Sequence, residues 1–300
     1  MNKSKNPVYL IHGAFLLPLT RRINIKEGQL MIITKMSGGL GNQLFQYGVG
    51  RMLANKLNTE LYIDRYNPSN KRPYGLSVFN ITGTFASLND IKKWTPEMVK
   101  EPHFNHYTKL DRMEGNIHLE GYWQSYKYVE PIRDILLEEL TIKNNMRRQF
   151  EVVNDIVSCN SVAVHFRRGD YAKDKHTHAY HGTCPMDYYR TAINRIEQSV
   201  ENPKYFVFSD DMEWIRKKWP YSLVQEPCFV SNCAEMKDYD DMQVMSKCKH
   251  NITANSSFSW WGAWLNRNPN KIVISPDQWF KNKEMQNKTH DLIPPTWIRA

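Results

Sequence analysis

Two adjacent arginines stand at the end of a Val-rich run, in His165-Phe166-Arg167-Arg168-Gly169-Asp170. Paired guanidinium groups at the carboxyl end of a strand are costly to place there without an anion. Each can grip phosphate oxygens through two parallel hydrogen bonds. Asp170 can orient an arginine or meet a ligand; it and His165 are also the residue types that could accept a proton. A second run, Asn255-Ser256-Ser257-Phe258-Ser259-Trp260-Trp261-Gly262-Ala263-Trp264, places hydroxyls at the start of a helix. Hydroxyls and unpaired N–H groups at a helix start form an anion site. The same pattern also describes a serine cap on a Trp-rich core helix.

A third signal is Phe208-Ser209-Asp210-Asp211, again at a strand end. A carboxylate there can take a guanine N–H pair or a ribose hydroxyl, and equally can cap a helix starting near Met212. The fourth is the loop Ser37-Gly38-Gly39-Leu40-Gly41-Asn42. It fails as a dinucleotide fingerprint, because Leu44 stands where the third glycine belongs, and no Lys-Ser or Lys-Thr makes it a P-loop. Asp238-Tyr239-Asp240 matches the Asp-X-Asp pattern of metal-dependent transferases. It falls in the first turn of a predicted helix, where the macrodipole alone favours carboxylates, so no metal site is assigned.

The elements that must position these residues alternate. Residues 31–36 read as a strand, Gln43 to Leu57 as a helix and Glu60 to Asp64 as a strand, which is a βαβ unit with a right-handed crossover. Residues 66–115 carry turn formers and weak periodicity. Asn116 to Trp123 reads as a strand, Tyr128 to Leu140 as one amphipathic helix, and the polar stretch 141–160 as a linker. A second series follows, with strands at 161–166, 204–208, 251–254 and 271–275 and helices at 185–199, 212–219, 235–248 and 256–266. The expected fold is therefore α/β, with two Rossmann-like doubly wound domains facing a cleft. Function is sought just after each strand.

Composition limits the partners. A net charge of +9 favours anions, but no block of five like charges appears, which argues against nucleic acid. The basic balance also suits peripheral contact with the inner membrane surface. The apolar run Val8 to Leu19 is too short for a spanning helix. Five cysteines without metal-ligand spacing fit a reducing compartment, so a cytoplasmic location is expected.

Taken together, Gly38-Gly39-Leu40-Gly41-Asn42-Gln43, the 165–170 motif and Ser257-Phe258-Ser259-Trp260-Trp261-Gly262 resemble glycosyltransferase family 11, the bacterial and animal α-1,2-fucosyltransferases. The match runs from about residue 31 to the C-terminus. Residues 1–30 lie outside it and read as an N-terminal extension, ahead of an acceptor-side domain at 31–145 and a donor-binding domain at 146–300. The resemblance implies a GT-B architecture, GDP-fucose as donor, inversion, no cofactor or required metal, and transfer to the 2-hydroxyl of a terminal galactose on a glycan. It also implies roles for particular residues. An arginine of the 165–170 motif, Arg167 or Arg168, contacts the donor diphosphate, as does the segment of Ser256, Ser257 and Phe258. Asp210 and Asp211 lie near the nucleoside, and Gly41 and Asn42 face the donor from the other domain. The rival readings are a GT-B transferase with another donor or acceptor and a basic nucleic-acid-binding protein.

Overall fold

The computed structural model describes residues 30–66, 72–94, 96–220, 226–231 and 236–300. Almost the whole expected N-terminal extension therefore lies outside the described residues. The first sheet is built from β1 (Met31–Lys35), α1 (Leu40–Lys56), β2 (Glu60–Asp64), β3 (Thr84–Phe85), α2 (Leu88–Trp94), β4 (Glu97–Lys100) and β5 (Ile117–Glu120). Its strands are all parallel, in the order β3-β2-β1-β5-β4. Residues 66–115, which have little periodicity, thus contribute among the described residues two short strands, one α-helix and the 3-10 turns Leu76–Val78 and Thr108–Arg112.

The chain then crosses through α3 (Tyr126–Val129), α4 (Arg133–Glu139) and α5 (Val152–Ser158). The single helix expected over 128–140 is broken here. A 3-10 turn at Glu130–Ile132 separates α3 from α4 and carries Pro131 at its start, which has no N–H to continue the α-helical ladder. The stretch expected as a linker is partly folded. Ile142 forms an antiparallel bridge with Phe79, and α5 packs on the second sheet's first strand.

The second sheet follows as β6 (Asn160–Phe166), α6 (Gly169–Lys173), α7 (Lys175–Tyr180), α8 (Met186–Ser199), β7 (Pro203–Ser209), α9 (Met212–Lys218), β8 (Cys228–Phe229), α10 (Asp238–Lys247), β9 (His250–Ile252), α11 (Ser257–Trp264), β10 (Val273–Ser275), α12 (Lys283–Gln286) and β11 (Ile298–Arg299). All its strand pairs are parallel, in the order β11-β10-β9-β6-β7-β8. Counted from β6, that is the 3-2-1-4-5-6 order of dinucleotide-binding sheets, whose crevice opens between the first and fourth strands. Both faces are covered. Val162, Val164 and Phe166 join one apolar cluster while Ala163 joins another. This is why the strand reads as a nearly continuous apolar run. The architecture is the expected one, two parallel α/β sheets facing a cleft.

One apolar core runs from the inner face of the first sheet, at Ile32, Leu61 and Ile117, to the inner face of the second, at Phe206 and Phe208. Phe45 of α1 sits 4.5 Å from Trp260 and 5.1 Å from Trp261 of α11, measured between ring centroids. Arg133 of α4 lies 4.3 Å over the Trp264 ring and donates to the Trp264 carbonyl at 2.9 Å. Side chains buried this way hold the two sheets as one body. Phe45→Ala is expected to cost about 3–5 kcal/mol of unfolding free energy. Both sheets should melt in one transition, seen as coincident circular dichroism and tryptophan fluorescence curves on urea unfolding. Two separated transitions would show that the sheets unfold independently.

Candidate active site

A cavity of about 650 Å³ opens between the two sheets. From the first sheet it is lined by Gly38 to Asn42 after β1, Arg72, Phe104, and Tyr122 and Gln124 after β5. From the second come His165 near the end of β6 with Arg167 and Asp170 after it, Ser209 at the end of β7 with Asp210 after it, Ser231 after β8, and Ser256 to Phe258 after β9. These are carboxyl ends of strands, where ligands of such sheets bind.

Two helix starts meet in this cavity. No side chain caps α1 and no acid sits in its first turn. Ser256 caps α11, its hydroxyl accepting from the Phe258 N–H at 3.3 Å. The two starts touch directly. A β-carbon on Gly41 would lie 2.5 Å from the Ser257 carbonyl carbon and 2.6 Å from the Phe258 nitrogen. Ser257 donates its hydroxyl to Asn42 Oδ1 at 2.6 Å, and Gln124 donates to the same oxygen at 2.9 Å. Gly41, Asn42 and Ser257 therefore join the sheets as well as line the cavity.

The two arginines part company. Arg167 lines the cavity, donating through Nη1 to Asp210 and through Nη2 to Asp170, both at 2.7 Å. Arg168 is not among the lining residues. Its guanidinium lies 3.5 Å from the Trp214 ring centroid and its Nε 3.5 Å from Asp211 Oδ2. Of the two guanidinium groups only Arg167 thus lines the cavity, and the stacking position over Trp214 holds the other away from it.

The two aspartates also divide. Asp210 lines the cavity, and both its oxygens are engaged, one by Arg167 and one by the Arg168 N–H at 2.7 Å. Asp211 does not line the cavity. It caps α9, accepting from the Trp214 N–H at 3.4 Å, so the capping alternative describes it. Asp240 of the Asp-X-Asp run is buried and accepts from the Lys237 N–H at 3.0 Å, which is a helix-capping contact.

Asp238, Asp241, Ser231, Arg72, Tyr122 and Gln124 also line the cavity; of these the sequence patterns mark only Asp238, through the Asp-X-Asp run. Ser231 donates to Asp241 at 2.8 Å, and burial pushes the Asp241 carboxyl up to about 6. Among the described lining residues, Arg72 and Arg167 face Asp170, Asp210, Asp238 and Asp241. The side chains alone make no strong cationic pocket, so the helix starts must supply much of any anion binding. After β5, Trp123 is fully buried with φ +57°, a left-handed conformation costing of order 1–3 kcal/mol in a non-glycine residue. Such strain persists where surrounding contacts over-determine it, and here it lies between Tyr122 and Gln124.

His165 is buried beside the Phe258 ring, at 5.6 Å between centroids. Its Nδ1 has no hydrogen-bond partner among the described residues. Among the described residues no cluster of three or more His, Cys, Asp or Glu could hold a metal ion, and no helix is long and apolar enough to cross a membrane.

Comparison with known proteins was made against this geometry. The family model described as glycosyl transferase family 11 matches residues 11–300, so the match begins earlier than the motifs do. A protein of Escherichia coli named alpha-1,2-colitosyltransferase is 33% identical over 298 residues, covering 90% of this chain and 98% of that one. The Escherichia coli O-antigen biosynthesis glycosyltransferase WbnK is 32% identical, covering 88% and 98%. Galactoside 2-alpha-L-fucosyltransferase Sec1 of Mus musculus is 24% identical, covering 80% and 65%. Among solved structures, fucosyltransferase NodZ from Bradyrhizobium superposes with a TM-score of 0.49 at 12% identity, covering 78% of this chain and 92% of that one.

Two outcomes are expected from this geometry. Gly41→Ala must push α11 from α1, because the added carbon meets backbone rather than a flexible side chain. It should cost about 1–3 kcal/mol of stability and lower turnover; a variant as stable as the parent would place the two helix starts further apart. The second concerns pH. Burial pushes the His165 imidazole from 6.5 down to about 4. Between these values the unfolded chain binds a proton that the fold refuses, so stability falls as pH falls. This group contributes up to about 1.4 kcal/mol per pH unit. In urea titrations from pH 6.5 to 4, His165→Gln should flatten the decline, and an unchanged slope would count against a buried neutral imidazole.

Proposed function

This chain belongs to glycosyl transferase family 11, and from that premise we propose that it transfers L-fucose from GDP-fucose to the 2-hydroxyl of a terminal galactose, with inversion. The observation that carries this reading is Arg167, held between Asp210 and Asp170 beside two converging helix starts. The donor occupies the side of the cavity formed by residues 146–300, and the acceptor approaches from the side formed by residues 31–145.

In this reading the donor diphosphate lies against the first turns of α1 and α11, with Ser256 and Ser257 hydroxyls and the Arg167 guanidinium around it. The bond from sugar C1 to the β-phosphate oxygen loosens first, giving the ring oxocarbenium character. The 2-hydroxyl oxygen of galactose then bonds C1 from the opposite face, its proton is lost, and GDP leaves. Negative charge grows on the departing phosphate oxygen, so fixed N–H dipoles and Arg167 act more strongly there than on the bound donor. Asp170 and His165 are the candidate proton acceptors. Asp170 already accepts from Arg167, and the depressed His165 holds a proton weakly near neutral pH. Asp210 serves as the anchor of Arg167. The Ser209–Ser231–Asp241 end of the cavity offers the nucleoside its polar partners, a role given earlier to Asp210 and Asp211 together.

The 33% relative named alpha-1,2-colitosyltransferase favours a second reading, in which the donor sugar is colitose. Fucose and colitose differ by the 3-hydroxyl, so one site can be built for either. A GDP-release assay with lactose, run with GDP-fucose, GDP-colitose, GDP-mannose and UDP-sugars and followed by linkage analysis, separates these readings. GDP-fucose turnover with an α-1,2 product is expected, and activity should survive a chelator. Arg167→Ala should lower kcat about 10²-fold or more. Arg168→Ala should mainly lower stability, through loss of its Trp214 and Asp211 contacts. Loss of kcat in Arg168→Ala alone would reverse the roles assigned to the pair.

A further inference from the structure

One side of the cavity is aromatic from its mouth to the reacting centre. Tyr122 is 38% exposed, and its ring lies nearly parallel to that of Phe104, with an interplanar angle of 7° and centroids 6.4 Å apart. Phe104 then meets Phe280 at 5.3 Å, across the junction of the two sheets. Phe280 contacts Tyr180 at 5.2 Å and His181 at 5.3 Å. His181 stacks on Tyr171 at 4.4 Å, and Tyr171 lies under the Arg167 guanidinium at 5.1 Å. All six ring residues line the cavity.

Polar clamps add to the apolar packing that holds this wall in place. The half-buried Glu101 carboxylate accepts from the Tyr122 N–H at 2.7 Å and the Trp123 N–H at 2.9 Å, and so holds the strained turn after β5. Gly121 leaves the room that Glu101 occupies. On the other sheet, Gln286 Oε1 accepts from the Trp279 and Phe280 N–H groups at 2.8 and 2.9 Å. The Asn282 N–H donates to the Tyr180 carbonyl at 3.1 Å, tying the two aromatic segments together. Asp291 accepts from the His106 N–H at 3.0 Å, and Asn105 accepts from the His290 N–H at 2.9 Å, so the Phe104 loop is pinned across the junction. Burying a carboxylate is costly, and burial pushes Glu101 up to about 7. Elements held this firmly present a preformed surface.

We propose that this wall is the acceptor site, and that it takes a terminal galactopyranoside by its apolar C–H face. The inference rests on the transferase reading above and names where its acceptor binds. In β-galactose the C–H bonds at C3, C4 and C5 share one face, which suits a flat ring surface. The hydroxyls are left for Gln124, Arg72 and Asp170, which line the same cavity. The nucleoside has no need of this wall, because its polar edge is matched at the Ser209–Ser231–Asp241 end. A sugar on the wall sits beside the ring under Arg167, next to the departing phosphate. Glu101 and Gln286 are positioning residues in this account.

The test uses the full chain, with one tyrosine removed from each sheet. Tyr122→Ala and Tyr180→Ala should each raise the KM for lactose about tenfold, with kcat at saturating lactose and the Kd for GDP unchanged. Tyr122→Phe and Tyr180→Phe keep the ring and should restore the lactose KM. With GDP present, saturation-transfer NMR on the parent chain should mark H3, H4 and H5 of the galactose ring. An unchanged lactose KM in both alanine variants overturns the proposal. A rise in the GDP Kd by the same factor also overturns it, because the wall would then hold the base. The two readings fail separately. Ring-dependent lactose binding without fucose transfer removes the donor assignment and keeps the wall, while transfer with an unchanged lactose KM removes the wall and keeps the donor.

Discussion

The structure turns on the contact between the starts of α1 and α11. Each helix start carries partial positive charge from unpaired N–H groups, and bringing two together is unfavourable by itself. Two features offset that cost. Phe45 packs against Trp260 and Trp261 immediately behind the junction, and Asn42 places a neutral carbonyl oxygen between the starts to receive the Ser257 and Gln124 donors. The contact also demands a residue without a side chain at position 41. What remains is a concave patch of oriented dipoles facing the cavity, which an anion completes.

That view explains the charge pattern. A pocket for a nucleoside diphosphate would be expected to carry excess arginine and lysine, yet aspartates outnumber arginines among its described lining residues. The carboxylates instead hold groups in place. Asp210 grips Arg167 and the Arg168 backbone together, and Asp170 holds the other arm of Arg167. A guanidinium fixed by two carboxylates has lost its freedom before any ligand arrives, so in the proposed reaction little ordering is needed as phosphate charge develops.

The regular parts were legible because their physics is local. The strands buried on both faces read as apolar runs, and the loops after them carry the motifs. What was not legible depends on neighbours far along the chain. Nothing in Arg167-Arg168 says which side chain faces the cavity; Trp214 and Asp211 decide that. The β4 strand pairs outside β5, against chain order, in a region whose exposed Glu97 and Met98 hide the alternation. Tyr122 and Trp123 are good strand formers, so the sequence pattern continues the strand through the turn after β5. Its left-handed Trp123 is held by Glu101, some twenty residues earlier in the chain. The principle of looking just past each strand end was sufficient to find Tyr122 and Gln124, had the strand been ended at Glu120.

The two sides of the cavity are built differently, and this bears on how such a site changes. The proposed donor side uses helix starts and strand ends whose positions follow from core packing, so altering it disturbs the fold. The proposed acceptor side uses loop residues Phe104, Tyr122 and Phe280 and the end of α7 at Tyr180, fixed by a few hydrogen bonds to their backbone. Replacing one aromatic residue there changes the surface offered to a sugar while leaving the Glu101 and Gln286 clamps intact. If the wall holds the acceptor, as proposed, substitution at the exposed Tyr122 can shift acceptor preference with the donor side unchanged, whereas Phe104 and Phe280 meet across the junction and also pack the two sheets together.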